Sequence, residues 1–183
     1  HQGFSPAAAA GLIRSLAIES LDRARDADQL RRAWRELDAA DRRDVHVAAH
    51  AARALAAYGA PDDARGWLRP FWDRLAQLGR EERDAVALAL ADAADGIGAD
   101  WLARIEGALQ ACPGEGALAY AAGRAFVASQ LWGKARACLE QAAADTTLAA
   151  ASRREAWLDL AVLAQRDGDE PRATAAFRAA AKL

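Results

Sequence analysis

Apolar residues recur every three to four positions along almost the whole chain, the period of a helix that turns one face inward. Turn-forming residues interrupt this pattern at Gly59-Ala60-Pro61, Gly79, Gly96-Ile97-Gly98, Cys112-Pro113-Gly114, Asp145-Thr146-Thr147 and Asp167-Gly168-Asp169. The segments between these breaks have the length of ordinary helices, so the expected fold is all-α. A single spacing recurs within them: one residue in a first helix, a second 12 positions later, an apolar residue 4 further on, and another after 3 more. Leu21, Ala33, Leu37 and Ala40 form the first set, followed by Ala52, Ala64, Leu68 and Phe71. Ala89, Trp101, Ile105 and Ala108 form the third, Gly123, Ala135, Leu139 and Ala142 the fourth, and Ala161, Ala173, Phe177 and Ala180 the fifth.

Successive sets begin 31, 37, 34 and 38 residues apart, and Gly59, Gly96 and Gly168 each stand seven residues after a first member. Glycine there suits a helix that ends in a left-handed residue before the chain reverses. Two antiparallel helices joined by a tight turn come close only where side chains are small, so the first two members of each set are expected at a helix crossing. Leu37, Leu68, Ile105, Leu139 and Phe177 are then expected to reach beneath it into the next hairpin, building a continuous core.

This pattern resembles the tetratricopeptide repeat, a helix-turn-helix unit of about 34 residues. The last unit matches best, with Trp157, Leu160, Ala161, Gly168, Ala173, Phe177 and Ala180 at the family offsets; Leu88, Ala89, Gly96, Ile105, Ala108 and Pro113 match in the third. Asp28 replaces glycine in the first unit, and Trp101 replaces a small residue in the third. The resemblance implies one domain over residues 1–183, an α-solenoid of about five antiparallel hairpins at approximately 6–41, 42–78, 81–112, 115–145 and 150–183. A narrower resemblance lies in Gln130-Leu131-Trp132-Gly133-Lys134-Ala135-Arg136-Ala137-Cys138-Leu139-Glu140, followed by the Trp157 unit. It is similar to the carboxy-terminal repeat region of the HemY family. That similarity implies the soluble, cytoplasmic part of a proteobacterial inner-membrane protein, anchored through a segment absent here and associated with late protohaem or porphyrin biosynthesis. There is no Met in the chain, so residue 1 is not expected to be the native start; His1-Gln2-Gly3 reads as a cloning or processing remnant of a longer parent.

Composition narrows the function classes. The 53 Ala and 21 Leu outweigh the 12 Val, Ile and Thr together, which disfavours a β-rich fold. A formal charge of −2, with Arg interleaved among Asp and Glu, argues against a nucleic-acid partner, which needs basic residues gathered on one face. The longest unbroken apolar stretch, Ala85 to Ala91, is too short for a bilayer span. Cys112 and Cys138 make neither a disulfide framework nor a zinc motif, and both read as small apolar residues. No nucleophile elbow or phosphate-cradling loop occurs, so no catalytic residue, metal or cofactor is assigned.

The expected activity is therefore binding. In stacked hairpins the first helices line an inner wall on which a peptide or partner helix lies. Projecting the register places His46, His50, Arg53, Arg83, Tyr120, Arg124 and Asp159 there. An arginine-bearing groove with Tyr120 suits an acidic or carboxylate-bearing partner, a haem-biosynthetic protein by the HemY resemblance. The alternative for those arginines is local pairing with acids. His46 and His50, four apart on one face, could approach a metal or haem edge, but no third ligand is evident. Trp67, Pro70, Phe71, Trp72, Trp132, Trp157 and Phe177 are expected in the core. Two further functions stay open: a module binding a porphyrin or other acidic ligand, and a dimerisation module joined through Leu158 and Phe177.

Overall fold

The computed structural model describes residue 3 and residues 5–183; His1 and Gln2, part of the expected remnant, lie outside the described residues. The described chain is helical throughout and contains no strand. Its helices are α1 (Pro6–Asp22), α2 (Ala27–Glu36), α3 (Ala39–Arg42), α4 (Val45–Ala57), α5 (Pro61–Trp72), α6 (Arg80–Asp92), α7 (Ala99–Ala111), α8 (Gly116–Ala128), α9 (Trp132–Ala144), α10 (Ala150–Arg166) and α11 (Glu170–Ala181), with a 3-10 turn at Leu75–Gln77. Alanine makes each interior a good helix former, and short polar side chains start several of them. Ser5 accepts from the Ala8 N–H, Asp26 from Gln29, Asp44 from His46 and Val47, and Asp169 from Arg172. Pro6, Pro61 and Pro171 sit in first turns, where a missing N–H costs nothing.

Three turns share one geometry. Three residues separate α4 from α5, α8 from α9, and α10 from α11. In each, the N–H beyond the turn reaches back into the preceding helix: Ala60 to the Leu55 carbonyl (3.1 Å), Leu131 to Phe126 (2.8 Å), and Asp169 to Ala164 (2.9 Å). Each turn passes through a left-handed residue: Gly59 at φ 86°, Gln130 at φ 60° and Gly168 at φ 73°. Gln130 stands seven residues after Gly123, the place glycine takes in the other two, so the turn forms there against the preference of its residue type.

The second helix of each of these pairs packs closely on the first. At the α8–α9 crossing, a Cβ on Gly123 would stand 2.7 Å from Cγ and Cδ2 of Leu139 and 3.4 Å from its backbone nitrogen. The absence of a side chain is what lets the helices meet. α4, α6 and α8 also pack side by side, α1 lies against α4, and α5, α7 and α9 each lean on the first helix that follows. One apolar cluster therefore runs from Ala17 to Ala176. Leu68, Ile105 and Leu139 are fully buried in it, as their register requires.

Three places depart from the sequence pattern. α6 and α7 hardly touch along their backbones, because Trp101 occupies the crossing position and is itself buried, edge-on to Trp72 at 5.8 Å. Their connection is six residues, 93 to 98, and Ile97 donates only to the near carbonyl of Ala94. In the first set, α2 ends at Glu36, so Leu37 is an extended cap and Ala40 belongs to the separate α3. Phe177 is 40% exposed rather than covered, since no described helix packs beyond α11.

Candidate functional site

Each of the three candidate arginines reaches a carboxylate on the next helix of the α4–α6–α8–α10 row. Arg53 of α4 donates from Nε to Asp92 of α6 at 2.8 Å. Arg83 of α6 grips Glu115, the residue that begins α8, through Nε and Nη2 at 2.9 to 3.1 Å, and also donates to the Leu78 carbonyl. Arg124 of α8 meets Asp159 of α10 at 3.0 Å. Arg14 of α1 does the same one step earlier, on Asp44 at the start of α4. These arginines are staples between neighbouring helices, already supplied with their counter-ions.

Their environments differ. Glu115 is 8% exposed and its pairing with Arg83 is largely shielded from water, whereas both partners of Arg53–Asp92 are more than a third exposed. The second contributes little to stability and can open at small cost. Arg83 is thus held as a staple between α6 and the start of α8. A further arginine absent from the candidate set, Arg65, is buried and donates to the Ala93 and Asp95 carbonyls at 2.6 and 2.7 Å, satisfying the end of α6.

His46 and His50 do not converge on a common point with any other ligand. His50 Nε2 lies 2.6 Å from Asp22 of α1, while the His46 side chain makes no hydrogen bond among the described residues. No group of three potential metal ligands exists among the described residues. Cys112 and Cys138 are free thiols, and burial pushes the Cys138 thiol above its ordinary value, away from the reactive thiolate. Of the aromatic residues expected in the core, Phe71 and Trp72 are buried, with Trp72 donating to the Arg104 carbonyl, whereas Trp67, Trp132 and Trp157 are half-buried against its edge and Trp67 stacks on Trp34 at 4.6 Å.

What the fold does bring together is Arg53, Tyr120, Arg124 and Asp159. They border two adjoining clefts on the α4–α6–α8–α10 row. One, of about 140 Å³, is lined by Arg53, Leu88, Asp92, Tyr120, Ser152 and Glu155, with Ala151 at its edge. The other, of about 270 Å³, is lined by Asp92, Asp95, Arg124, Val127 and Asp159 among others. Asp92 and Glu155 were not among the candidates, although the register contains them: Asp92 stands three residues after Ala89, and Glu155 six before Ala161. Carrying the projection that found Asp159 to the other acidic first-helix positions would have found both.

The clefts carry an excess of negative charge. Arg53 and Arg124 face Asp92, Glu155 and Asp159, with Asp95 alongside, and Glu155 has no ion-pair partner among the described residues. Burial pushes the Tyr120 hydroxyl up to about 12; Arg124 opposes this, but Asp159, Glu155 and Asp92 reinforce it. Burial likewise raises Asp159 above the usual carboxylate range in spite of Arg124. An arginine-rich surface for an acidic partner was expected; the arginines are present, and the carboxylates outnumber them.

No helix among the described residues is long and apolar enough to cross a membrane. No protein-family model, curated protein or solved structure matches the chain.

Proposed function

We propose that the chain is a non-catalytic protein-interaction scaffold, an array of about five tetratricopeptide-like hairpins in a single domain, with the α4–α6–α8–α10 row as its binding wall. The observation that carries this reading is the recurring turn, with its left-handed residue seven positions after Ala52, Gly123 and Ala161 and the same backward hydrogen bond in each. A repeated turn of fixed geometry builds the same hairpin each time, α4, α6 and α8 lie side by side, and a row of first helices is an extended surface for a partner segment. The proposed setting, a HemY-like protein of the inner membrane serving late haem biosynthesis, rests on the resemblance of residues 130–140 and the Trp157 unit. A porphyrin carboxylate is served less well by the clefts, because Arg53 and Arg124 already hold Asp92 and Asp159. Self-association through Leu158 and Phe177 would draw on exposed Val162 and Phe177 and half-buried Leu158, and Leu12, Ile13 and Leu16 of α1 are exposed as well.

Retention of partners from a proteobacterial membrane fraction tests this reading, comparing wild type with Ala151→Trp, an exposed position at the cleft edge whose bulky replacement obstructs the wall. A haem-pathway protein held by wild type and released by the variant is the expected result. Equal retention by both would move the binding surface elsewhere, and specific retention by neither would remove the scaffold function.

A further inference from the structure

We infer that the cleft lined by Tyr120 and Glu155 is a receptor for a primary ammonium group, presented as a lysine side chain on the docked partner; this deepens the scaffold reading and rests on it. Tyr120 is 6% exposed, yet its hydroxyl has no hydrogen-bond partner among the described residues. It is also not sealed from solvent, since among the described residues the buried polar atom left without a partner is the Ser129 hydroxyl. A tyrosine buried to that degree ordinarily spends its hydroxyl on the protein. Here it is left to the cavity of about 140 Å³ that the side chain lines.

The surrounding chemistry selects the ligand. Glu155 offers an unpaired carboxylate, and Asp92 commits one oxygen to Arg53 while the other makes no side-chain hydrogen bond. With the Tyr120 oxygen, these supply acceptors for the three donors of an ammonium. Leu88, Ala151 and the tyrosine ring supply apolar wall for a methylene stem, the arrangement in which a lysine buries its stem and keeps its head in polar surroundings. An anion would meet the carboxylates of Asp92 and Glu155, which line the same cleft. The small volume, about 140 Å³, suits the compact ammonium head better than the broad planar guanidinium.

Titration of the isotope-labelled full chain with n-butylammonium, followed through the backbone amides of Tyr120, Ala151, Ser152 and Glu155, tests the site. Saturable shifts are expected that weaken about tenfold in Glu155→Gln and severalfold in Tyr120→Phe, with helix content unchanged, and that are absent with butyrate and with 1-pentanol. Equal binding of 1-pentanol, or no loss in Glu155→Gln, would reduce the cleft to an unselective cavity and overturn the inference; stronger binding of butylguanidinium would overturn the choice of ammonium. A capped pentapeptide with one central lysine is expected to bind more tightly than the free amine, and tighter binding of the free amine would overturn the polypeptide source. Failure here is separable from failure of the scaffold. If no amine binds but Ala151→Trp still releases a retained partner, the ammonium site alone is wrong; if the amine binds and no partner is retained, the lysine assignment falls with the scaffold.

Discussion

The α8–α9 and α6–α7 pairs occupy the same register and differ at the crossing. Gly123 and Ala135 let α8 and α9 meet almost backbone to backbone across a three-residue turn. Ala89 faces Trp101 in the other pair, and the helices stand apart across six residues. Trp101 is not stranded by this; it is buried with its ring edge-on to Trp72 of α5. The comparison teaches that the same sequence spacing can bring two helices together or leave them apart, according to the volume at one position.

The largest expected effect is on the open pair. Trp101→Ala removes a buried ring and should cost about 3–5 kcal/mol by the usual cavity penalty, measured by chemical denaturation. Spin labels on α6 and α7 should also report a shorter separation. An unchanged separation would show that the six-residue connection, and not the indole, holds the helices apart. On the close pair, Gly123→Val drives a branched side chain into Leu139 and should cost about 1–3 kcal/mol by overpacking. Leu139→Ala in the same background should recover part of that loss, and strictly additive costs would mean that the two positions do not meet.

Two smaller effects sharpen the contrast. Glu115 ties the loosely paired α6 across to α8 through Arg83, so Glu115→Gln should cost on the order of 1–3 kcal/mol, the penalty for leaving a buried donor unsatisfied. A loss no larger than that of Arg53→Ala, whose pair is exposed, would deny the shielded staple its role. The smallest effect lies in the acid limb. The Thr147 hydroxyl and N–H, with the Gly116 N–H, hold Asp145 below the usual carboxylate range, and so fasten the end of α9 to the start of α8. Its folded-state pKa lies below its unfolded value, so the stabilisation is present above the unfolded pKa and is lost as pH falls through the folded one. Urea midpoints recorded from pH 6 downward should therefore fall more steeply below pH 4 for wild type than for Asp145→Asn, and parallel curves would remove Asp145 from the account.

Much of the fold is legible in the residues. Gly59, Gly96 and Gly168 were expected in left-handed turns, and all three adopt them. Gln130 was not, because nothing in its type signals a left-handed residue; the register does, seven places after Gly123. Trp101 is visible as a departure in sequence, but the width of the gap it forces is not. Of the candidate site, Arg53, Tyr120, Arg124 and Asp159 do share one surface. Arg83 does not, and the difference lies in whether the partnering acid, Glu115 or Asp92, is buried at a helix start or exposed on a helix face.

Helicity, the spacing of the helices and the positions of the turns follow from residue type and period alone, because the driving terms, alanine propensity, short polar caps and an inward apolar stripe, act within a few residues of one another. Which arginine meets which acid, the outward excess of carboxylate in the clefts, and the unpartnered Tyr120 hydroxyl are set by tertiary structure. They depend on side chains about 30 to 40 positions apart, and only the packing of α4, α6 and α8 side by side, with α10 seated on α9, decides which of those charges face each other and which face water.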